Sequence, residues 1–131
     1  MPIFAMIHII NDRDFTMEIK RINPAPRWSD ATIYNGIIHF VEVPESDTKA
    51  DMAGQMQQVL EQAELSLQSA GSDKSRILSV TIYVTNFAEL DAMNRVWEAW
   101  LPNDCAPSRA CLKVELVDPD YKVEIAFVAA Q

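Results

Sequence analysis

The hydrophobic period of this chain switches between two residues and 3.6 residues four times, and that switching restricts the fold more than any other feature. Glu18–Ile22 alternates as a short strand. Asn23–Asp30 carries two prolines and reads as a loop. Ala31–Val43 places Ile33, Ile37, Ile38, Phe40 and Val41 around Tyr34-Asn35-Gly36, a strand, a tight turn and a second strand. The period then lengthens. Ala53, Met56, Leu60, Ala63, Leu67 and Ala70 recur at helical steps, with Gln and Glu on the other faces and Gly71 as the stop. After a short turn over Ser72–Ser75, Ile77–Thr85 alternates again. Leu78, Val80, Ile82 and Val84 fall on one side, and Ser79, Thr81, Tyr83 and Thr85 on the other. Phe87–Leu101 returns to helical spacing, with Leu90, Asn94, Trp97 and Leu101 on one stripe and Pro102 ending it. Ala110–Val117 and Lys122–Ala129 are strands flanking the turn sequence Asp118-Pro119-Asp120-Tyr121.

Strands, helix, strand, helix, strands: this order predicts an α+β single domain, a mixed sheet of about six strands with two helices packed on one face. A chain of 131 residues buries about two-thirds of its unfolded surface and needs no staple. The second sheet face must be polar or covered. The outward side of the last two strands still offers Cys111, Ala126 and Val128, so the pattern predicts an oligomer.

Charge and composition exclude several function classes. Eleven Lys and Arg against nineteen Asp and Glu give a net charge of −8. Nucleic acid and anionic membrane surfaces both require clustered positive charge, so neither is expected as a partner. A small anionic substrate remains compatible, because a single arginine can hold a carboxylate. Cys105 and Cys111 fit no metal or redox spacing, and His8 and His39 are far apart, so no metal site is expected. Two cysteines form no disulfide framework, which makes a reducing, cytoplasmic setting the expectation. Gly36, Gly54 and Gly71 are the only glycines, and no phosphate-cradling loop can be built from them. No nucleotide cofactor is expected. The apolar opening MPIFAMIHII lacks a basic start and a cleavage site and is too short to span a bilayer. Residues 1–16 read either as an N-terminal extension ahead of Met17 or as an extra edge strand from Ile3 to Ile10, with residues 17–131 forming the domain.

Few side chains suit chemistry. Arg109, in Pro107-Ser108-Arg109-Ala110-Cys111, opens a strand beside small residues. Its guanidinium either sits solvated or grips a carboxylate with both arms. Glu124 lies on a polar strand side next to Ala126; it is a wet-face glutamate or a base that orients water. Asn94 falls on the apolar stripe of the second helix, where its amide must find a core partner or a ligand. Cys111 has no base nearby in sequence and reads as a packed thiol. Arg27-Trp28-Ser29-Asp30 places a cation, an aromatic and a carboxylate in one loop, either as a substrate cover or as a subunit contact. If the last two strands form a simple hairpin, Glu124 faces Glu115 and Arg109 lies roughly 20 Å further along. A site using both residues would then have to span two subunits.

Ala106-Pro107-Ser108-Arg109-Ala110-Cys111, followed fifteen residues after the arginine by Glu124 in Lys122-Val123-Glu124-Ile125, resembles the signature of the RidA (YjgF-like) family. The similarity runs from about Met17 to Ala130. The Arg-Trp-Ser-Asp loop and the Asp-Pro-Asp-Tyr-Lys-Val-Glu-Ile ending are most similar to its YoaB branch. The resemblance implies a chorismate-mutase-like fold, a homotrimer and a site in each cleft between subunits. It implies hydrolysis of reactive enamines and imines to 2-oxo acids and ammonia, without a cofactor. Carried over by position, Arg109 would grip the substrate carboxylate, the N–H of Cys111 would support it, Glu124 would hold the attacking water, and Asn94 takes the family's helix asparagine. Two positions depart from the family pattern. Arg27, followed by Trp28, stands where a tyrosine is usual, and Phe40 stands where a serine is usual. Both positions line the family's cleft, so its far side is expected to be larger, more apolar and differently charged, and the substrate to differ from the small aminoacrylate-type imine. The rival expectation is a trimer that binds a 2-oxo acid or related carboxylate without turning it over. RNA cleavage, attached to some family members, is opposed by the charge of −8.

Overall fold

The computed structural model describes residues 18–131. The expectations for residues 1–16 therefore lie outside the described residues. The elements are β1 (Lys20–Ile22), β2 (Ala31–Tyr34), β3 (Ile37–Glu42), α1 (Met52–Ser69), β4 (Ile77–Val84), α2 (Leu90–Trp100), β5 (Ser108–Lys113) and β6 (Val123–Ala130). Short 3₁₀ turns at Lys74–Arg76 and Phe87–Glu89 lead into β4 and α2.

Local chemistry explains the boundaries. Asn35 and Gly36 both take positive φ, 53° and 80°, which closes β2 onto β3 in the two-residue turn whose twist suits a hairpin. Asp51 caps α1 by accepting from the Gly54 N–H at 2.9 Å. At the other end, Ser72 N–H reaches Leu67 O at 2.8 Å and Gly71 N–H reaches Gln68 O at 3.1 Å, with Gly71 at φ 81°. These are the paired bonds of a left-handed helix stop.

The six strands form one mixed sheet in the order β1-β2-β3-β6-β4-β5, antiparallel except for the parallel pair β4–β5. Alternate residues of its central strands, including Ile38, Phe40, Val80, Ile82, Ile125 and Phe127, are buried under the two helices. Met56, Leu60 and Leu67 of α1, with Met93 and Trp97 of α2, complete the core. The Phe40 and Phe127 rings stack in it with centroids 4.7 Å apart. Among the described residues no helix covers the opposite face. Val41, Thr81, Tyr83, Leu112, Ala126 and Val128 lie there, with Val41 53% and Leu112 44% exposed.

Four expectations change. β5 and β6 are not a hairpin, because β4 lies between them. Helix α2 carries the chain back across the sheet, so β5 re-enters parallel to β4, and the segment from 114 to 122 then crosses to the centre. Cys111 consequently shares a row with Ile82 and Ile125 on the helix side, not with Ala126 and Val128. A register shift between Ile77 and Ser79 places Ile77 in the core and leaves Leu78 48% exposed. Gln55, grouped by pattern with the polar faces of α1, is fully buried.

Candidate functional site

The register assigns each predicted residue to a face. Arg109 pairs with Val80, and Val80 pairs with Phe127; this row belongs to the helix-covered face. Glu124 pairs with Tyr83, and Tyr83 pairs with Leu112; this row belongs to the open face. Arg109 and Glu124 therefore project from opposite faces of one sheet. Their Cα atoms are two strands and three residues apart, roughly 14 Å at ordinary strand spacings.

β5 is an edge strand. Val114 N–H donates to Val84 O at 2.9 Å, toward β4. Successive N–H groups of a strand point to alternate sides, so those of Lys113, Cys111 and Arg109 point off the free edge. The Arg109 side chain is exposed and has no hydrogen bond or ion pair among the described residues. The edge thus presents a free guanidinium and an unpaired backbone donor two residues apart. Cys111 itself packs its side chain partly against the core, on the helix side and not on the outward side where the sequence pattern placed it.

Helix α2 is the connection between β4 and β5, which brings Asn94 to the same sheet face as Arg109 and Cys111. The Asn94 Oδ1 is buried and has no hydrogen-bond partner among the described residues. A buried acceptor without a donor is costly and marks a place where a donor is missing.

Glu124 is half-buried on the open face. Burial pushes its carboxyl above the ordinary carboxylate value, and no hydrogen bond offsets the shift. That environment turns a glutamate into a stronger base. Tyr121 is near enough to feel the Glu124 charge. Burial first, then the Asp118, Glu45 and Glu124 carboxylates, raise its phenol above the usual value.

Arg27 and Trp28 lie between β1 and β2, at the opposite edge of the sheet from Arg109. The loop is held at its base by Asp30 N–H to Ile22 O at 2.9 Å and by Asn23 Nδ2 to Asp30 Oδ2 at 3.0 Å. It presents Trp28 69% exposed beside a shallow hollow shared with Ala25, Pro26 and Arg27. Phe40 is only 4% exposed and lies in the core against Phe127, so in this chain it does not reach the surface. Its serine-like position in sequence gave no warning of that stack.

One subunit therefore holds three separate groups: Arg109, Cys111 and Asn94 at the β5 edge, Glu124 on the open face, and Arg27 with Trp28 at the β1 edge. The larger surface hollow, between the helices at Gln57, Leu60, Glu61, Arg95, Val96, Ala99 and Trp100, contains none of them. Among the described residues no three His, Cys, Asp or Glu side chains gather as a metal set, and no helix is long and apolar enough to cross a membrane.

A six-stranded mixed sheet backed on one face by two helices defines the fold class. Residues 18–131 match the family model described as Endoribonuclease L-PSP. The chain belongs to that family, known also as RutC or YjgF and RidA, and lies on its YoaB-like side. It is 40% identical over 114 residues to the RutC family protein YoaB of Escherichia coli, covering 87% of this chain and 99% of that protein. The 3-aminoacrylate deaminase RutC of Acinetobacter baylyi is 31% identical over 106 residues, covering 81% and 83%. A solved YjgF family member from Neisseria meningitidis superposes with a TM-score of 0.83 at 35% identity, covering 88% of this chain and 96% of that one. The chorismate-mutase-like fold implied by the signature is the fold observed.

Proposed function

We propose that this protein hydrolyses reactive imines and enamines of amino-acid metabolism to 2-oxo acids and ammonia, at sites completed by a second subunit. The observation that carries the reading is the edge of β5, free among the described residues, where the Arg109 guanidinium, unpaired among them, and the outward N–H of Cys111 form a ready carboxylate grip. The similarity to a 3-aminoacrylate deaminase supports the same chemistry.

In this reading Arg109 binds the substrate carboxylate through both arms of its fork. Glu124 of a neighbouring copy takes a proton from water as the oxygen attacks the imine carbon. The carbon–nitrogen double bond opens onto the nitrogen, which takes that proton back from the Glu124 carboxyl, giving a carbinolamine. The Glu124 carboxylate then takes the carbinol O–H proton and passes it to the nitrogen as the carbonyl forms and the C–N bond breaks, so ammonia leaves the 2-oxo acid behind. An enamine first tautomerises to its imine. Imines hydrolyse readily, so holding water against a fixed imine is sufficient catalysis. Asn94 Oδ1 is the acceptor for an N–H that arrives with ligand or partner. Arg27 and Trp28, brought over from another copy's β1 edge, would form the far wall. Homotrimeric assembly over the open sheet face is the arrangement the family implies.

The test generates 2-iminopropionate and 2-iminobutyrate in place with an amino-acid oxidase and traps what remains with semicarbazide. Wild type should deplete the imine and Arg109→Ala should do so far more slowly. Equal turnover by the two proteins would remove the grip. Saturable 2-oxo acid binding without turnover of any imine would favour the carboxylate-binding alternative instead. Ribonuclease action, named in the family model's description, finds no basic stripe to hold phosphates on a chain of net charge −8.

A further inference from the structure

Gln55 is fully buried, and the bonds of its side chain all go to backbone. Its Nε2 donates to Asp120 O at 2.9 Å, to Thr48 O at 3.1 Å and to Ala50 O at 3.3 Å. Its Oε1 accepts from Lys122 N–H at 2.7 Å. One amide thus ties together the loop before α1 and both peptides that flank Tyr121. The Lys122 peptide is pinned on its other side as well, since Lys122 O accepts from Thr85 N–H at 3.2 Å. The ladder of β6 begins at the next residue, with Val123 opposite Val84 and Glu124 opposite Tyr83.

We infer that Gln55 is the positioning residue for Glu124: its amide anchors the peptide just ahead of β6 and so fixes where the carboxylate of Glu124, two residues after Lys122, stands. Strand ends fray unless their terminal groups are tied. Glu124 is only the second residue of β6, and its base function depends on a fixed height above the sheet. A displacement of an ångström at a catalytic group is enough to cost about 100-fold in rate. An amide is the side chain suited to the task, because it offers both a donor group for carbonyls and an acceptor for the Lys122 N–H. A carboxylate of the same shape keeps the acceptor and sets its second oxygen against three carbonyls. Arg109 lies on the edge strand β5, and none of the Gln55 side-chain hydrogen bonds reaches that strand. The inference rests on the proposed role of Glu124, but the anchoring itself can be read without turnover.

The experiment compares wild type, Gln55→Glu and a control, Gln58→Ala. Gln58 bonds Asp47 N–H and Asp47 O at 2.9 and 3.0 Å, so its loss loosens the same loop without touching residues 120–122. The first readout is the titration midpoint of the Glu124 carboxyl by ¹³C NMR. Gln55→Glu should move it and Gln58→Ala should not. The second is imine turnover. Gln55→Glu should lower kcat by about 10-fold or more while KM changes little, because the ground-state grip is intact. A Glu124 midpoint unchanged in folded Gln55→Glu, or moved equally by Gln58→Ala, would overturn the inference. If wild type turns over no imine, the deaminase reading fails while the midpoint still decides the anchoring. Should Gln55→Glu not fold, amide exchange in wild type decides it. The Lys122 and Glu124 amides should be protected like the centre of β6, and exchange at loop rates would overturn the anchoring.

Discussion

Glu124 and Glu42 are both held above the ordinary carboxylate value by burial, yet they report on different things. Glu42 lies on the helix side of β3, where Ser66 Oγ at 2.6 Å and Gln62 Nε2 at 3.1 Å partly offset the desolvation. Glu45 and Asp30 add like charge and raise it further. A carboxyl whose folded-state pKa is raised stabilises the fold fully below its unfolded value of 4.5 and loses that contribution as pH rises through the folded value. Urea unfolding at a series of pH values should therefore show a decline above pH 4.5 that is shallower in Glu42→Gln. Parallel curves would show that Glu42 does not titrate across this range. For Glu124 the relevant quantity is activity. As a base it must be ionised, so turnover should rise with pH through a midpoint above 4.5. Glu124→Gln should remove that limb and lower kcat by about 100-fold or more. Arg109→Ala should cost about 10- to 100-fold in kcat/KM, the worth of a charge-assisted bond. It should leave thermal stability unchanged, because the side chain is exposed and has no partner among the described residues.

Elements whose signals are local were legible in the chain itself. The Asn35-Gly36 turn is the clearest, because only residues tolerant of positive φ close a two-residue hairpin of this twist. A Cβ added at Gly36 would meet nothing within 4 Å. Gly36→Ala should thus destabilise by the backbone term alone, about 1 kcal/mol, read by denaturant unfolding. A loss several times larger would mean that the hairpin carries contacts beyond its turn. The stop of α1 at Gly71 was equally local. Leu78 was not. Its alternation pointed inward, and the register shift after Ile77 turned it out, because a bulge depends on the partner strand and leaves no mark on the period. Gln55 was missed for a related reason. A polar residue on the buried arc of a helix looks like a solvated one until the carbonyls that satisfy it are brought up from 65 residues away.

At the scale of the molecule, a pairing never legible in the sequence changes the reason for an intersubunit site but not the expectation. The hairpin argument separated Arg109 from Glu124 along a strand; the observed sheet separates them by face. In the proposed function either separation requires a site built from two copies, and mixing tests it. Arg109→Ala and Glu124→Gln, each impaired alone, should recover activity when co-refolded at equal amounts. In the proposed trimer, random mixing would restore roughly a quarter of the sites. No recovery would place both residues of a site in one chain. Leu112→Glu, a charge on the open face, should dissociate the assembly by size-exclusion chromatography with light scattering and abolish turnover, while the circular dichroism of the fold is retained.

The sequence by itself determined the kinds and order of the elements, the turn chemistry between them and the Arg109 and Glu124 motifs, since each depends on residues within a few positions of one another. The tertiary structure alone decided which strands are neighbours, which face each candidate occupies, and that Phe40 belongs to the core. Those outcomes depend on pairings between distant segments. The return of α2 over the sheet makes β5 an edge, and the insertion of β6 between β3 and β4 places Glu124 on the uncovered face.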